Sequence, residues 1–160
     1  MGRNPGYDAT ELIRGARDLF WRKGFDAVSV SEIEAATGVG RSSIYHAFGN
    51  MRGLFDAAVD DYLTTVVRPR LEPLITEPVA PEAIGDYLRA VRETITGLAR
   101  RDTPTGCLLL VSASAPIGTD TAVHAVIAAY RDELSAAVAS GVAARLATAD
   151  TTVIERHTRL

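Results

Sequence analysis

The chain has little of what builds cross-linked, metal-bound or membrane-spanning proteins. Its single cysteine, Cys107, can form neither an internal disulfide nor a zinc cage. No apolar run approaches the roughly 18 residues that span a bilayer, and the N-terminus lacks the apolar core of a secretory signal. These absences predict a protein of the reducing cytoplasm without a membrane partner.

Excess positive charge and aromatic residues are scarce as well. The net charge of -3 argues against a protein that coats nucleic acid indiscriminately, so any DNA binding has to come from a local surface. Residues 1–55 nevertheless sum to +1 and the remaining residues to -4, which predicts a slightly basic head on an acidic body. Only 6% of the residues are aromatic, whereas Ala and Leu are abundant, and this composition favours helices.

Capping signals predict two helices near the N-terminus. Asp8 and Glu11 fit a capping box that opens the first helix, and Ser29 and Glu32 repeat the pattern at the second. The sequence Thr-Gly-Val-Gly stops the second helix, because Gly38 can take the positive φ that a sharp turn between crossing helices requires.

A short third helix, which begins at Arg41, carries an unusual outer face. Ile44 and Phe48 are four residues apart and face inward. The outward residues are polar, cationic or aromatic, and they are Arg41, Ser42, Tyr45 and His46, with Ser43 on the flank. Arginine reads guanine edges through two hydrogen bonds, serine meets bases or phosphates, and Gly40 at the N-cap leaves backbone amides for a phosphate. This face predicts a DNA-reading helix, and the alternative is an arbitrary polar face on a small helical protein.

A long fourth helix is predicted to connect this head to the rest of the chain. Asn50 caps it, and an apolar side follows at helical spacing. Because Pro69 disfavours helical geometry at the preceding residue, we expect the helix to kink or end near there and a connector to span roughly 69–81. Charged residues of the first and fourth helices, Arg17 and Asp61 among them, are expected to face solvent.

Three more helices are predicted for the second half. The first spans 81–101, and its inward residues are expected to be Ile84, Tyr87, Leu88, Val91, Ile95 and Leu98. The apolar stretch 107–115 is predicted to be a buried helix, because the chain offers no partner strand. The last helix spans 119–147 and carries small residues on a second face, and the polar stretch 148–160 is expected to fray.

In this order the motifs resemble the TetR family of bacterial transcriptional regulators. The resemblance covers residues 8–62 without a gap and rests on Ser-Val-Ser-Glu-Ile, Gly-Val-Gly, Ser-Ile-Tyr-His-Ala-Phe and Asn-Met-Arg-Gly-Leu-Phe. It implies an all-α fold, with a helix-turn-helix DNA-binding head of three helices at 1–50. It also implies a helical body for ligand binding and dimerisation at 51–160, TetR-like but short at its C-terminus.

The resemblance also implies which residues touch DNA. Four of them would face bases, and these are Arg41, Ser42, Ser43 and His46. Tyr45 and the amide of Gly40 would hold phosphates, and we add Asn50 and Arg52 to the predicted DNA-binding set. The chain departs from the family at two positions, because family members usually have Ser or Thr at Gly40 and Lys at Met51. We therefore predict modest affinity with a shallow salt dependence, and Arg52 is the candidate substitute for the missing lysine.

A pocket for a small-molecule effector is implied among the helices of the body. Its candidate lining residues are Tyr62, Tyr87, Val91, Ile95, Leu109, Ser112, Ser114, His124 and Tyr130. Each of these is also explained as a plain core residue, and together they would suit an apolar ligand with a few polar groups. Family members usually dimerise through their last two helices, and here we expect a homodimer on the helix at 119–147.

Three functions remain open at this point. The leading one is a repressor dimer that binds a near-palindromic double-stranded operator and is released by an effector. The second is a helical small-molecule-binding protein with weak or lost DNA binding. The third is an enzyme with Cys107 as nucleophile and His124 as base, which we disfavour because Cys107 lies in an apolar run without an orienting acid. The chain has no glycine-rich phosphate loop, and His46 has no metal-binding partner at helical spacing, so we predict neither cofactor nor metal.

Overall fold

Helices and short turns make up the described part of the chain. The computed structural model describes residues 7–96 and 106–158, with side chains up to residue 147. The helices are α1 (Ala9–Lys23), α2 (Val30–Thr37), α3 (Arg41–Phe48), α4 (Met51–Tyr62), α5 (Arg68–Ile75), α6 (Ala83–Ile95), α7 (Leu108–Ala113) and α8 (Thr121–Thr158). A π-helical turn, Leu63–Val67, joins α4 to α5, and 3-10 turns lie at Phe25–Ala27 and Pro116–Thr119. These ranges contain no strand, and the all-α prediction is confirmed.

The predicted caps position the first two helices. The side chain of Asp8 accepts hydrogen bonds from the amides of Thr10 and Glu11, at 2.7 and 3.4 Å. At α2 the full capping box is present, because the Ser29 hydroxyl accepts from the Glu32 amide and the Glu32 carboxylate accepts from the Ser29 amide. Lys23 at the end of α1 donates to Glu32 at 2.6 Å, and this bond ties the two helices together.

The turn between α2 and α3 follows the prediction from sequence. Gly38 has a φ of 70° in the left-handed region, where a side chain would be strained. Val39 is buried directly after it, and Ile33 and Ile44 are fully buried on the facing helices. The turn therefore fixes α3 against α2 with its outer side free.

Of the two outcomes predicted near Pro69, an end of the helix is wrong, and so is the predicted start of the connector at residue 69. The chain stays helical through the π turn and α5, and the connector begins at Thr76 instead of residue 69. Pro69 lies in the first turn of α5, where the amide that proline lacks is not needed by an α-helical hydrogen bond. The wider π turn before it absorbs the change in hydrogen-bonding pattern. As a result, one nearly continuous helical segment runs from Met51 to Ile75.

The expectation that Arg17 and Asp61 face solvent is also wrong. Their side chains are only 15% and 13% exposed, and Nη1 of Arg17 donates to Oδ2 of Asp61 at 2.7 Å. Arg17 also pairs with Asp18 at 2.9 Å. Because α1 packs closely along α4, charges at the edge of that contact find partners on the other helix, and they link the head to the start of the body.

One continuous apolar core runs through the described residues. Within this core, Phe20 of α1 packs edge to face on Phe55 of α4 with ring centroids 5.3 Å apart. Further along, Trp21 packs on Tyr62 at 4.8 Å. These pairs join α1 to α4 and carry the core from the head toward the body.

The second half of the chain departs from the predictions in each of α6, α7 and α8. α6 ends at Ile95, and Leu88 and Ile95 are 57% and 66% exposed, because the second half of α6 borders open space instead of packed core. The predicted positions 98–101 lie outside the described residues. The polar stretch expected to fray continues α8 as a helix up to Thr158. The stretch at 107–115 is helical over Leu108–Ala113 as predicted, but it is only partly buried, since Leu108 is fully buried whereas Leu110 is 68% exposed.

α8 packs tightly on α5 and α6 at one point. A Cβ at Gly141 would lie 2.7 Å from Cδ2 of Leu74 and 3.2 Å from Cβ of Ile84, so only glycine fits this crossing without a shift. Ala137, one turn earlier, is also buried. None of the described helices combines the length and the apolar character that crossing a bilayer requires.

Candidate nucleic-acid interface and effector cavity

α3 presents a polar face away from the core. Ile44 is fully buried and anchors the helix, and Phe48 is half-buried one turn later. The residues predicted to meet DNA bases or phosphates lie on the opposite side, where Ser43 is half-buried and the exposed ones are Arg41, Ser42, Tyr45 and His46. The structure therefore brings all five of these side chains together on one short, rigid helix.

A carboxylate already occupies the start of this helix. The backbone amide of Arg41 donates to Oε1 of Glu34 at 2.6 Å, and the guanidinium of Arg41 lies 3.5 Å from the hydroxyl of Ser31. Gly40 is the N-cap, as predicted, but not every amide at the helix start is free for a phosphate. A DNA phosphate at this point has to displace Glu34 or use a neighbouring amide.

Asn50 and Arg52 have internal partners. Oδ1 of Asn50 accepts from the amide of Gly53 at 2.9 Å and caps α4. Arg52 donates to Asp56 at 2.8 Å and to Asp120 at 2.9 Å. The Arg52 guanidinium lowers the pKa of Asp120 to about 2. Any phosphate contact by Arg52 therefore competes with two carboxylates.

Asp120 makes this contact a bridge between the two parts of the chain. Besides its bond to Arg52, it accepts from the amides of Ala122 and Val123 at 2.9 and 3.1 Å, and so caps α8. The bridge connects the first turn of α4, next to α3, with the first turn of α8, the longest of the described helices. No local sequence pattern predicts this bridge, because 68 positions separate the partners and only the fold brings them together.

A cavity of about 250 Å³ lies among α4 to α8. Five of the predicted ligand-lining residues border it, and these are Tyr62, Tyr87, Val91, Ile95 and Tyr130. The others lie elsewhere. Leu109 borders a smaller cavity of about 160 Å³ beside Arg52, Ser112 is fully buried and bonded to the carbonyl of Leu108, and Ser114 and His124 are exposed outside the cavity.

Arg70 and Cys107 border the cavity and were missed as lining residues. Arg70 lies about two helical turns after Tyr62 and one turn after Val66. This spacing indicates a shared helix face only if the helix continues past Pro69. A kink or an end of the helix near Pro69, as local rules predict, hides this spacing. Cys107 and His124, weighed as nucleophile and base, do not share this site, since Cys107 lines the cavity and His124 does not.

The polar groups of the cavity wall are donors at neutral pH. Burial raises the pKa of the Tyr62 and Tyr130 phenols well above their usual range, and the neighbouring Cys107 adds to the effect. Burial raises the pKa of Tyr87 as well, although Arg70 opposes this. Sγ of Cys107 lies 4.0 Å from the hydroxyl of Tyr130. The described residues bring no three metal-ligating side chains together, here or elsewhere.

This combination defines a class of protein. A capped helix, a sharp glycine turn and a short exposed polar helix form a helix-turn-helix unit, and a continuous helical segment connects it to a helical body with a cavity.

Comparison with known proteins gives the family. The family model described as bacterial regulatory proteins, tetR family, matches residues 12–58. The HTH-type transcriptional repressors ComR and BdcR of Escherichia coli (strain K12) are 32% and 31% identical to the chain over 110 and 125 residues. These matches cover 68% and 77% of this chain but 51% and 62% of the relatives, so the chain spans about half to three fifths of their length. The chain belongs to the TetR family.

A solved structure agrees with this assignment. It is a cysteine mutant of the TetR family transcriptional regulator CifR in complex with 26-base-pair double-strand operator DNA. It superimposes with a TM-score of 0.66 at 27% identity and covers 88% of this chain and 76% of that one. The likeness extends beyond the head into the helical body.

Proposed function

We propose that the chain is a transcriptional repressor that reads double-stranded operator DNA with α3 and leaves it when a small molecule fills the cavity. The observation that carries this proposal is the exposed set on α3, held on one face by the fully buried Ile44. One to two turns of helix presented from their N-terminus fit the major groove. The DNA-bound CifR structure, which shares the fold, supports the same use of the head.

The division of the chain follows from this proposal. Residues 1–50 would form the DNA-binding head, and residues 51–160 the body for ligand binding and dimerisation. A regulator of chromosomal DNA acts in the cytoplasm of a bacterium, which agrees with the location expected from sequence.

A homodimer on a near-palindromic operator is part of the proposal. A single short helix reads few base pairs, so two heads at a fixed spacing are needed for specificity. α8 supports this assembly, because Val142 and Leu146 are 41% and 58% exposed on its far half, where a second copy can cover them. Sedimentation at micromolar concentration tests it, and a monomer there would contradict the dimer.

The route from cavity to head runs through α4. Tyr62 lines the cavity at the end of this helix, and Arg52 at its start is held by Asp120 of the body. A ligand can shift α4 only if it binds the DNA-free arrangement better than the DNA-bound one. We propose that filling the cavity moves α4 relative to α8, so that the distance between two heads no longer matches the operator.

A gel-shift assay with the DNA upstream of the chain's own gene tests DNA binding. Arg41→Ala should weaken binding, since its guanidinium is proposed to read a base, whereas Arg92→Ala on the body should not. Binding that is unchanged in Arg41→Ala would contradict the assignment of α3.

A second candidate is a small-molecule-binding protein with weak DNA binding. It is favoured by the internal partners of the DNA-facing set, since Glu34 occupies the Arg41 amide and two carboxylates hold Arg52. The same gel shift separates the two, because this candidate predicts no operator complex at physiological salt.

A further inference from the structure

The wall of the cavity among α4 to α8 has the chemistry of an anion site joined to an apolar space. Arg70 is the one charged side chain among the described residues that line it, and no carboxylate borders it in the described ranges. The apolar part of the wall includes Val67, Leu71 and Leu134. A positively charged ligand would meet no opposite charge among the described wall residues, whereas a negatively charged ligand would meet Arg70.

Arg70 is available for a ligand. Arg68, Arg89 and Arg131 of the body each pair with a carboxylate. Arg70 has no hydrogen bond or ion pair with a described residue. On its other side Arg70 borders a groove that is also lined by Glu82 and Asp86; Asp86 is paired with Arg89, and Glu82 makes no ion pair with Arg70.

The other polar groups of the cavity wall can donate hydrogen bonds to an acceptor on a ligand. Tyr62, Tyr87 and Tyr130 border the space, and their phenols carry a proton at neutral pH, as any tyrosine does. Burial raises the pKa of each phenol further from neutrality. A phenol that keeps its proton donates a hydrogen bond, and the guanidinium has only donors. A carboxylate offers two acceptor oxygens and pairs with guanidinium in a planar, two-pronged geometry.

The volume sets the size of the ligand. A cavity of about 250 Å³ holds roughly eight water-sized groups at about 30 Å³ each. This is smaller than the sites that hold drug-sized molecules, which begin at about 300 Å³.

We propose that this cavity binds a small monocarboxylate with an apolar body of about five carbons, its carboxylate at Arg70 and the phenols, and its apolar end against Val67, Leu71 and Leu134. The inference deepens the proposed function, since the monocarboxylate would be the effector that releases DNA. Binding itself does not depend on DNA and can be measured separately.

The single tryptophan provides the readout. Trp21 packs on Tyr62 with centroids 4.8 Å apart, and Tyr62 lines the cavity. A ligand that contacts Tyr62 should therefore change the fluorescence of Trp21, and calorimetry on the same samples supplies an independent affinity. The probes are hexanoate, 1-hexanol and hexylamine, which share an apolar body and differ in charge.

The expected order is hexanoate first, 1-hexanol at least tenfold weaker, and hexylamine without measurable binding, since one charge-assisted hydrogen bond supplies roughly a factor of ten or more. Arg70→Gln should remove the advantage of hexanoate over 1-hexanol. Arg92→Gln is the matched control, because Arg92 is exposed on α6, does not line the cavity and has no described partner. Equal affinities for hexanoate and 1-hexanol in the unchanged chain, or equal losses in both variants, would overturn the proposal.

Two further measurements keep the outcomes distinct. Urea unfolding of Arg70→Gln should match the unchanged chain because the side chain is exposed, and Tyr87→Phe should weaken hexanoate while its ring still fills the wall. In gel shifts, hexanoate that binds through Arg70 but leaves the operator complex intact would overturn the effector role and support the ligand class. Release by 1-hexanol but not by hexanoate would overturn the ligand class and support effector release.

Discussion

The head and the body bury their apolar residues in different ways. In the head, at residues 7–50, Ile33 and Ile44 are fully buried, and the glycine turn and the caps close the unit around them. In the body, Leu88 and Ile95 of α6 remain exposed, and Ile95 borders a cavity instead of packed core. The comparison teaches that the head closes its core around one helix face, whereas the body leaves space and apolar surface, which the proposed function assigns to a ligand and a second copy.

The largest expected effect comes from replacing isoleucine by alanine at one position in the head and, for comparison, at one position in the body. Ile44→Ala should destabilise the chain by about 2–5 kcal/mol, because it leaves a cavity under the DNA-reading helix. Ile95→Ala should change stability by less than about 0.5 kcal/mol, as at other exposed positions. The free energy of urea unfolding measures both, and similar losses at the two sites would show that the body is as closely packed as the head.

A second pair of variants asks where the body itself is tight. Gly141→Ala should cost about 1–3 kcal/mol, since its Cβ would meet Leu74 and Ile84 and the crossing of α8 would have to widen. Gly85→Ala on α6 meets nothing closer than the flexible end of Arg89, at 3.5 Å, and should stabilise its helix by up to about 1 kcal/mol. If Gly141→Ala is tolerated without loss, the contact of α8 with α5 and α6 is looser than this packing indicates.

The same contrast explains what could be predicted from the sequence. The head follows from local signals, because a capping box at Ser29 and a turn glycine at Gly38 act within a few residues. The body depends on tertiary context. Local rules predict that a helix kinks or ends near Pro69, yet the chain stays helical through the π turn and past Pro69. Arg70 therefore lies on the cavity wall. The pair of Arg52 with Asp120 could not be foreseen either, since no local pattern links positions so far apart.

A smaller effect concerns the proposed DNA-binding surface. Met51→Lys should steepen the salt dependence of operator binding by about one unit, because it adds one phosphate contact and one released counterion. Met51→Gln is the uncharged control. Arg52→Gln should leave the slope nearly unchanged if Arg52 remains with Asp56 and Asp120, as the structure has it. A slope that falls by one unit in Arg52→Gln would show that Arg52 leaves its carboxylates for a phosphate.

The smallest expected effect is on acid stability, and it compares a carboxylate of the head with one at the junction to the body. The Lys23 bond lowers the pKa of Glu32 from 4.5 to about 2, and the Arg52 bond lowers that of Asp120 from 3.8 to about 2. Both groups are more acidic in the folded chain, so their stabilisation is present above about pH 4.5 and is lost as the pH falls toward 2.

Glu32→Gln and Asp120→Asn should therefore each reduce the loss of stability between pH 4.5 and 2, in urea unfolding at a series of pH values. The change should be small, because both carboxylates lie at the surface, where water and salt screen such pairs. Asp26→Asn removes an exposed carboxylate without a described partner and serves as the control.

Because Asp120 also caps α8 and bridges to α4, its variant should in addition weaken the link between body and head, and effector release in the gel shift should weaken with it. If Glu32→Gln changes effector release as much as Asp120→Asn does, the bridge is not the route by which the cavity reaches the DNA-reading helix.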